Sequence, residues 1–235
     1  MYMLCIETSK ILQTQQQRLR QLQWTNGEAN LDTDFSRLAG ECCVSAWKII
    51  QQNNTDYNNI DITCNNPDIT ILFEYPDHSQ VVKKIELKSS KRGKMPGSTI
   101  KSLNINQPLI FCLRPNNDTK MYKIRCGQYH IAMGDSNCDL FQDRTPRPCI
   151  NFNKMTDIDS SKPYEHKEKN YWIDHYAKCA LHRIDNNTNI SSWQDDMVRK
   201  MKQKIIQDYL ASNTLDQIQL HKVEVQMSNC KISFI

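Results

Sequence analysis

Apolar residues recur along this chain with two different periods, and the change from one to the other organises it. In the Gln-rich stretch 9–24, Ile11, Leu12, Leu19 and Leu22 stand at roughly helical spacing, which predicts a helix. A stronger helix follows. Asp34 is placed to cap it, and Phe35, Leu38, Cys42, Ala46, Ile49 and Ile50 keep the helical period up to the polar run 51–59. The period then shortens to two. Residues 68–75 and 81–88 read as strands around the turn signal Pro76-Asp77-His78-Ser79, and 108–114 and 121–126 as two more around the turn-rich 115–119. Residues 134–163, with Pro, Gly, Asp and Ser, read as a long loop region. Helices are expected near 166–182 and 192–211, the second opened by Ser191 or Ser192, and 222–226 as a terminal strand. No repeat or clear linker interrupts this series. The pattern predicts a single α/β domain over 1–235, with a helical C-terminal part at about 160–235.

The first hairpin carries the candidate chemistry. Centred on His78, it would place Asp68 opposite Lys88 and Thr70 opposite Glu86. Side chains alternate between faces, so Ile69, Ile71, Phe73, Val81, Ile85 and Leu87 share the face to be buried, with Lys83 the exception. Asp68, Glu86 and Lys88 then converge on the other face, where diagonal neighbours lie roughly 7–8 Å apart or less. A register shift of two keeps them there, whereas a shift of one buries charge and exposes the apolar set. Hard divalent cations such as Mg2+ take one or two carboxylates plus waters and phosphate oxygens. Such a cation lowers the pKa of a bound water and neutralises charge building on a phosphodiester, and a lysine beside it stabilises that charge. The competing reading is a half-solvated hairpin with a charged outer face.

Composition changes this picture little until it is resolved by position. With 30 Lys plus Arg against 26 Asp plus Glu, the net charge is only +4, and 39% hydrophobic residues suffice for a core. Aromatic and aliphatic residues spread along the chain exclude disorder, and no apolar run reaches the roughly 20 residues of a membrane helix. Residues 1–10 lack the form of a signal peptide, so an intracellular, unsecreted protein is expected, with its ten cysteines reduced. Their scattered spacing does not suit a zinc site, and no Gly-rich loop suggests a nucleotide cofactor. The charge is nevertheless concentrated. Lys83, Lys84, Lys88, Lys91, Arg92, Lys94 and Lys101 fall in one segment whose only acid is Glu86. A flexible basic loop after Lys88 suits phosphate contacts, and Ser98, Thr99, Asn104, Asn106 and Gln107 add donors for phosphates or base edges.

Pro67-Asp68, then 17 residues, then Glu86-Leu87-Lys88, with Glu41 in the preceding helix, reproduces a nuclease pattern. From Gly40 to about Arg125 the chain resembles type II restriction endonucleases of the PD-(D/E)XK superfamily. The runs Ile85-Glu-Leu-Lys-Ser-Ser90, Pro96-Gly-Ser-Thr99 and Asn106-Gln107-Pro108-Leu-Ile-Phe-Cys112 are similar to enzymes encoded by large DNA viruses of algae. The resemblance implies a PD-(D/E)XK nuclease-like core, a mixed central sheet flanked by helices in the order α-β-β-β-α-β, over about 34–130. It implies Mg2+-dependent cleavage of both strands of duplex DNA at a short palindrome by a homodimer, leaving 5′-phosphate and 3′-hydroxyl ends. Asp68 and Glu86 would bind metal, Lys88 would act on the attacking water, Glu41 would support a metal, and Gln107 would be a supporting residue. Lys91, Arg92, Lys94, Ser98, Thr99, Lys101, Asn104, Asn106 and Gln107 are the expected DNA contacts. The alternatives are another nuclease of this fold (homing, repair or junction-resolving) and a non-catalytic DNA-binding protein. Beyond about residue 134 the chain carries no recognised pattern.

Overall fold

The computed structural model describes residues 1–24, 33–53, 59–65, 68–98, 103–117, 120–134, 148–155, 164–168, 170–175, 177–178, 193–212, 223–226 and 231–234. The chain forms two compact units. The first comprises Met1–Gly134 and Pro148–Lys169, the second Asp135–Arg147 and Asn170–Ile235.

The first unit is mixed α/β. Helices α1 (Tyr2–Thr14), α2 (Gln16–Gln21) and α3 (Thr33–Ile50) precede strands β1 (Asn59–Asn65), β2 (Asp68–Glu74) and β3 (Gln80–Ser90). Next come β4 (Lys94–Pro96), β5 (Pro108–Leu113), β6 (Lys123–Gln128), the short helix α4 (Tyr129–Ala132) and β7 (Cys149–Asn151). A five-stranded sheet has the order β1-β2-β3-β5-β6, antiparallel throughout except for the parallel β3–β5 pair. The segment joining that parallel pair carries β4 and a turn and, among the described residues, no helix. In this respect it departs from the expected α-β-β-β-α-β order.

Alternation decides which face is covered. Ile69, Ile71, Phe73, Ile85 and Leu87 are buried with Leu4, Leu12, Leu38, Ala39 and Cys43 of α1 and α3 in one core. The odd-numbered face of the hairpin therefore takes the helices, as its apolar set requires. On β5 both faces are covered. Phe111 meets the Phe152 ring edge-on at 5.6 Å, and Arg125 lies over the same ring at 4.5 Å. The even face stays open over β2 and the start of β3, where Thr70, Leu72, Val82 and Lys84 are half-buried or exposed.

The hairpin register differs from the expected one by two residues, so Thr70 faces Lys84 rather than Glu86. The turn explains it. Tyr75 O accepts from His78 N, Tyr75 N donates to Ser79 O, both at 2.9 Å, and Asp77 Oδ1 accepts from Ser79 N and Oγ. This centres the loop on Asp77, and His78 takes the left-handed conformation at φ 63°. Because the shift is even, Asp68, Glu86 and Lys88 keep their common face.

Helix α1 begins at Tyr2, earlier than the pattern predicts, and ends in a break at Gln15 before α2. The basic segment after Lys88 is also more ordered than the flexible loop expected. Strand β3 continues to Ser90, and the chain turns at Gly93 (φ 68°), which Cβ-bearing residues resist. Then β4 pairs with β7, a strand inside the region read as loop.

In the second unit, residues 171–175 are helical, Trp193–Ser212 forms a long helix, and Val223–Gln226 pairs antiparallel with Lys231–Phe234. The helix expected over 166–182 does not begin at 166, because 164–168 is non-helical. Among the described residues no helix is long and apolar enough to cross a membrane.

Candidate active site

Glu86 lies where β3 passes between β2 and β5, opposite Leu109, and is only 6% exposed. A carboxylate this buried requires partners. Its Oε1 accepts from Ser98 Oγ at 2.7 Å and is ion-paired with Lys88 Nζ, two residues on along the same face. Gln107 Nε2 approaches Oε2 at 3.5 Å. Asp68, the first residue of β2, lies next to Glu86, close enough for the two carboxyl groups to act on one another. Burial, and then the adjacent Glu86 carboxylate, push the Asp68 carboxyl up to about 6, while Lys88 and Lys84 oppose the shift. Asp68 Oδ1 is buried without a hydrogen-bond partner among the described residues, as is Thr70 Oγ1 on the same face. An orphaned carboxylate oxygen beside a second carboxylate is a site short of a cation or a donor.

Ser98 is itself fixed from behind. Its N–H donates to the Tyr129 hydroxyl at 2.6 Å, and Tyr129 is fully buried. A Cβ on Gly97 would stand 2.1 Å from that hydroxyl and 3.0 Å from Pro148 O, so only glycine leaves room for the contact. Neither Tyr129 nor Gly97 carries a sequence signal for this task, because their partner is remote in the chain.

The structure brings Asp68, Glu86 and Lys88 together as the alternation predicts. Glu41 is a correction, because α3 packs on the odd face while the carboxylate pair occupies the even one. Glu41 is half exposed and ion-paired with Arg18 at 2.6 Å, and its charge acts on Cys42 and Cys64. Among the described residues no group of three His, Cys, Asp or Glu is arranged to hold a metal, so the pair stands without a third acidic ligand.

The expected DNA contacts divide. Lys91, Arg92 and Lys94 are exposed at the turn between β3 and β4, beyond Lys88. Ser98 and Gln107 turn inward to Glu86. Asn104 Oδ1 accepts from Asn106 N at 3.1 Å, which shapes the turn before β5. The Asn106 amide is spent on the backbone of Lys167, donating to its O and accepting from its N at 2.8 Å each. Pro67, Thr99 and Lys101 lie outside the described residues. Seven cysteines among the described residues are free thiols.

No family model, curated protein or solved structure matches this chain.

Proposed function

We propose that this chain is a Mg2+-dependent endonuclease that hydrolyses both strands of duplex DNA at a short palindromic site, leaving 5′-phosphate and 3′-hydroxyl ends. One observation carries the reading: Asp68 and Glu86 are adjacent carboxylates, Lys88 is paired to Glu86, and Asp68 Oδ1 is buried with no hydrogen-bond partner among the described residues. The donor set suits a hard cation, which needs only one or two carboxylates when waters and phosphate oxygens complete its shell. Asp68 and Glu86 would hold it, with Ser98, Lys88 and Gln107 as partners of the Glu86 carboxylate. When bound, the cation supplies a water of lowered pKa and neutralises charge on the phosphodiester.

The remaining work falls to side chains of this chain. Lys88 sets a positive charge beside the reacting phosphate and stabilises negative charge as it develops. Ser98 and Gln107 hold Glu86 in orientation, as partners of a ligating carboxylate do. Lys91, Arg92 and Lys94 contact phosphates and give binding its salt dependence. A two-fold dimer would match a palindrome and cut both strands equivalently.

Incubation with Mg2+ and an unmethylated plasmid of known sequence should give discrete fragments. Asp68→Asn, Glu86→Gln and Lys88→Ala should each abolish cutting while DNA binding persists. Preferential cutting of branched over linear duplex would move the assignment to a resolvase. Absence of discrete fragments from the unsubstituted protein would sink the restriction reading, and DNA binding without any cutting would leave the non-catalytic one.

A further inference from the structure

Beside the carboxylate pair lies a cleft of about 530 Å3 that the carboxylate chemistry does not use. Tyr2, Val82, Lys83, Lys84, Gln107 and Tyr164 contribute to its lining. Two of these connect it to the pair: Lys84 faces Thr70 across the hairpin and its charge acts on Asp68, while Gln107 reaches Glu86 at 3.5 Å. The volume falls within the roughly 300–1,000 Å3 typical of small-ligand sites.

One wall of the cleft is built rather than incidental. The backbone of Glu165 is gripped by the Gln128 side chain, whose Nε2 donates to Glu165 O and whose Oε1 accepts from Glu165 N, both at 2.7 Å. The Asn106 amide makes the same pair of bonds with Lys167 two residues later. Gln128 is fully buried, so this segment is anchored in the interior of its unit. Tyr164, at its start, is 53% exposed and meets the Tyr2 ring edge-on at 6.4 Å. Val82, also in the lining, is 58% exposed.

An exposed tyrosine on an anchored segment, an exposed valine, side-chain amides and two lysines together fit a flat ring with hydrogen-bonding edges that also carries a phosphate. An acidic peptide would use the lysines and leave the aromatic wall without a partner. We infer that the cleft binds one nucleotide of the nucleic-acid strand with its base unstacked, the base lying on Tyr164, its edge at Gln107 and its phosphate at Lys84. This rests on the proposed function for the strand it belongs to, and adds a subsite next to the cutting site. Removing a base from the stack costs energy that is least at single-stranded or mismatched positions, so those are the substrates the cleft favours.

Fluorescence anisotropy with a short labelled single strand of mixed sequence, and with its duplex, measures this in EDTA, where no cutting occurs. Tyr164→Ala should weaken single-strand binding by roughly 5- to 100-fold, and Tyr164→Trp should restore it. Lys84→Gln should weaken binding and lower its salt dependence. Asn106→Ala, which removes one of the segment's two anchors but keeps the tyrosine, should also weaken it. Equal affinity of Tyr164→Ala and the unsubstituted protein overturns the inference, as does polyglutamate competing as well as unlabelled strand. The two readings fail separately. Cutting by Asp68→Asn would refute the metal-dependent nuclease and leave the binding result standing, whereas unchanged binding by Tyr164→Ala would refute the cleft alone.

Discussion

Asp68 should lower the stability of the folded chain, and replacing it should reveal by how much. Burial and the neighbouring Glu86 raise its carboxyl from an ordinary 3.8 to about 6, so the fold disfavours the charged form. At about 1.4 kcal/mol per pH unit the full shift corresponds to about 3 kcal/mol. Because the group is partly open to solvent, screening reduces this to about 1–2 kcal/mol. The sign follows from a folded-state value above the unfolded one. The stabilising effect of the bound proton is fully present below about pH 4 and is lost as pH rises through about 6. Asp68→Asn keeps the shape, removes the charge and offers Glu86 a permanent donor. Urea or thermal unfolding across pH 4 to 8 should show the variant more stable by about 1–2 kcal/mol above pH 7, a few degrees in Tm, with the difference shrinking towards pH 4. Mg2+ should raise the unsubstituted protein and leave the variant unmoved, because the cation binds the folded pair. A variant no more stable at pH 8, or a difference that grows as pH falls, would refute the argument that these carboxylates are forced together.

Ser98→Ala should cost Glu86 its best neutral donor and raise the Mg2+ concentration needed for half-maximal cutting by roughly 10- to 100-fold, with Ser98→Thr close to normal. A metal titration unchanged by the alanine would show that Ser98 does not orient Glu86. Glu41→Gln should leave cutting within about 2-fold and cost at most about 1 kcal/mol of stability, since it removes one half-exposed ion pair with Arg18. A loss of activity matching that of Asp68→Asn would place Glu41 at the site after all.

The central strands are legible because alternation, or in 108–114 a short continuous apolar run bounded by turn signals, reports burial. The segments 68–75, 81–88, 108–114 and 121–126 correspond to β2, β3, β5 and β6. What escaped has particular causes. Strand β1, Asn59–Asn65, pairs among the described residues with β2 alone, and its alternation of Ile60, Ile62 and Cys64 with polar residues after the polar run 51–59 is too weak to mark it. The start of α1 was hidden by Thr8 and Ser9, fully buried yet satisfied by donating to Leu4 O at 2.6 Å and Cys5 O at 2.8 Å. Strands β4 and β7 have three residues each and pair with one another, a pairing no local window contains. The hairpin register moved because a turn is set by which residue accepts the side-chain and backbone bonds, here Asp77, and not by the midpoint of two apolar runs.

For the site, alternation sufficed to place Asp68, Glu86 and Lys88 on one face but not to decide between chemistry and a charged outer surface. Burial argues against the charged outer surface. A face charged for solubility keeps its carboxylates in water, where they cost nothing. Here Glu86 is 6% exposed, the Lys88 side chain 12%, and Asp68 keeps an oxygen buried with no donor. Each of these is unfavourable to the fold, and replacing a buried ion pair by apolar side chains is often neutral or stabilising. Ser98 lies 12 residues from Glu86 and 31 from the Tyr129 whose hydroxyl holds it, and Gly97 makes room for that contact. Through them the interior holds Glu86 in place beside an Asp68 oxygen that no described residue satisfies. An arrangement that holds two carboxylates together at a cost to stability, and leaves them one partner short, is the physical argument for a cation between them.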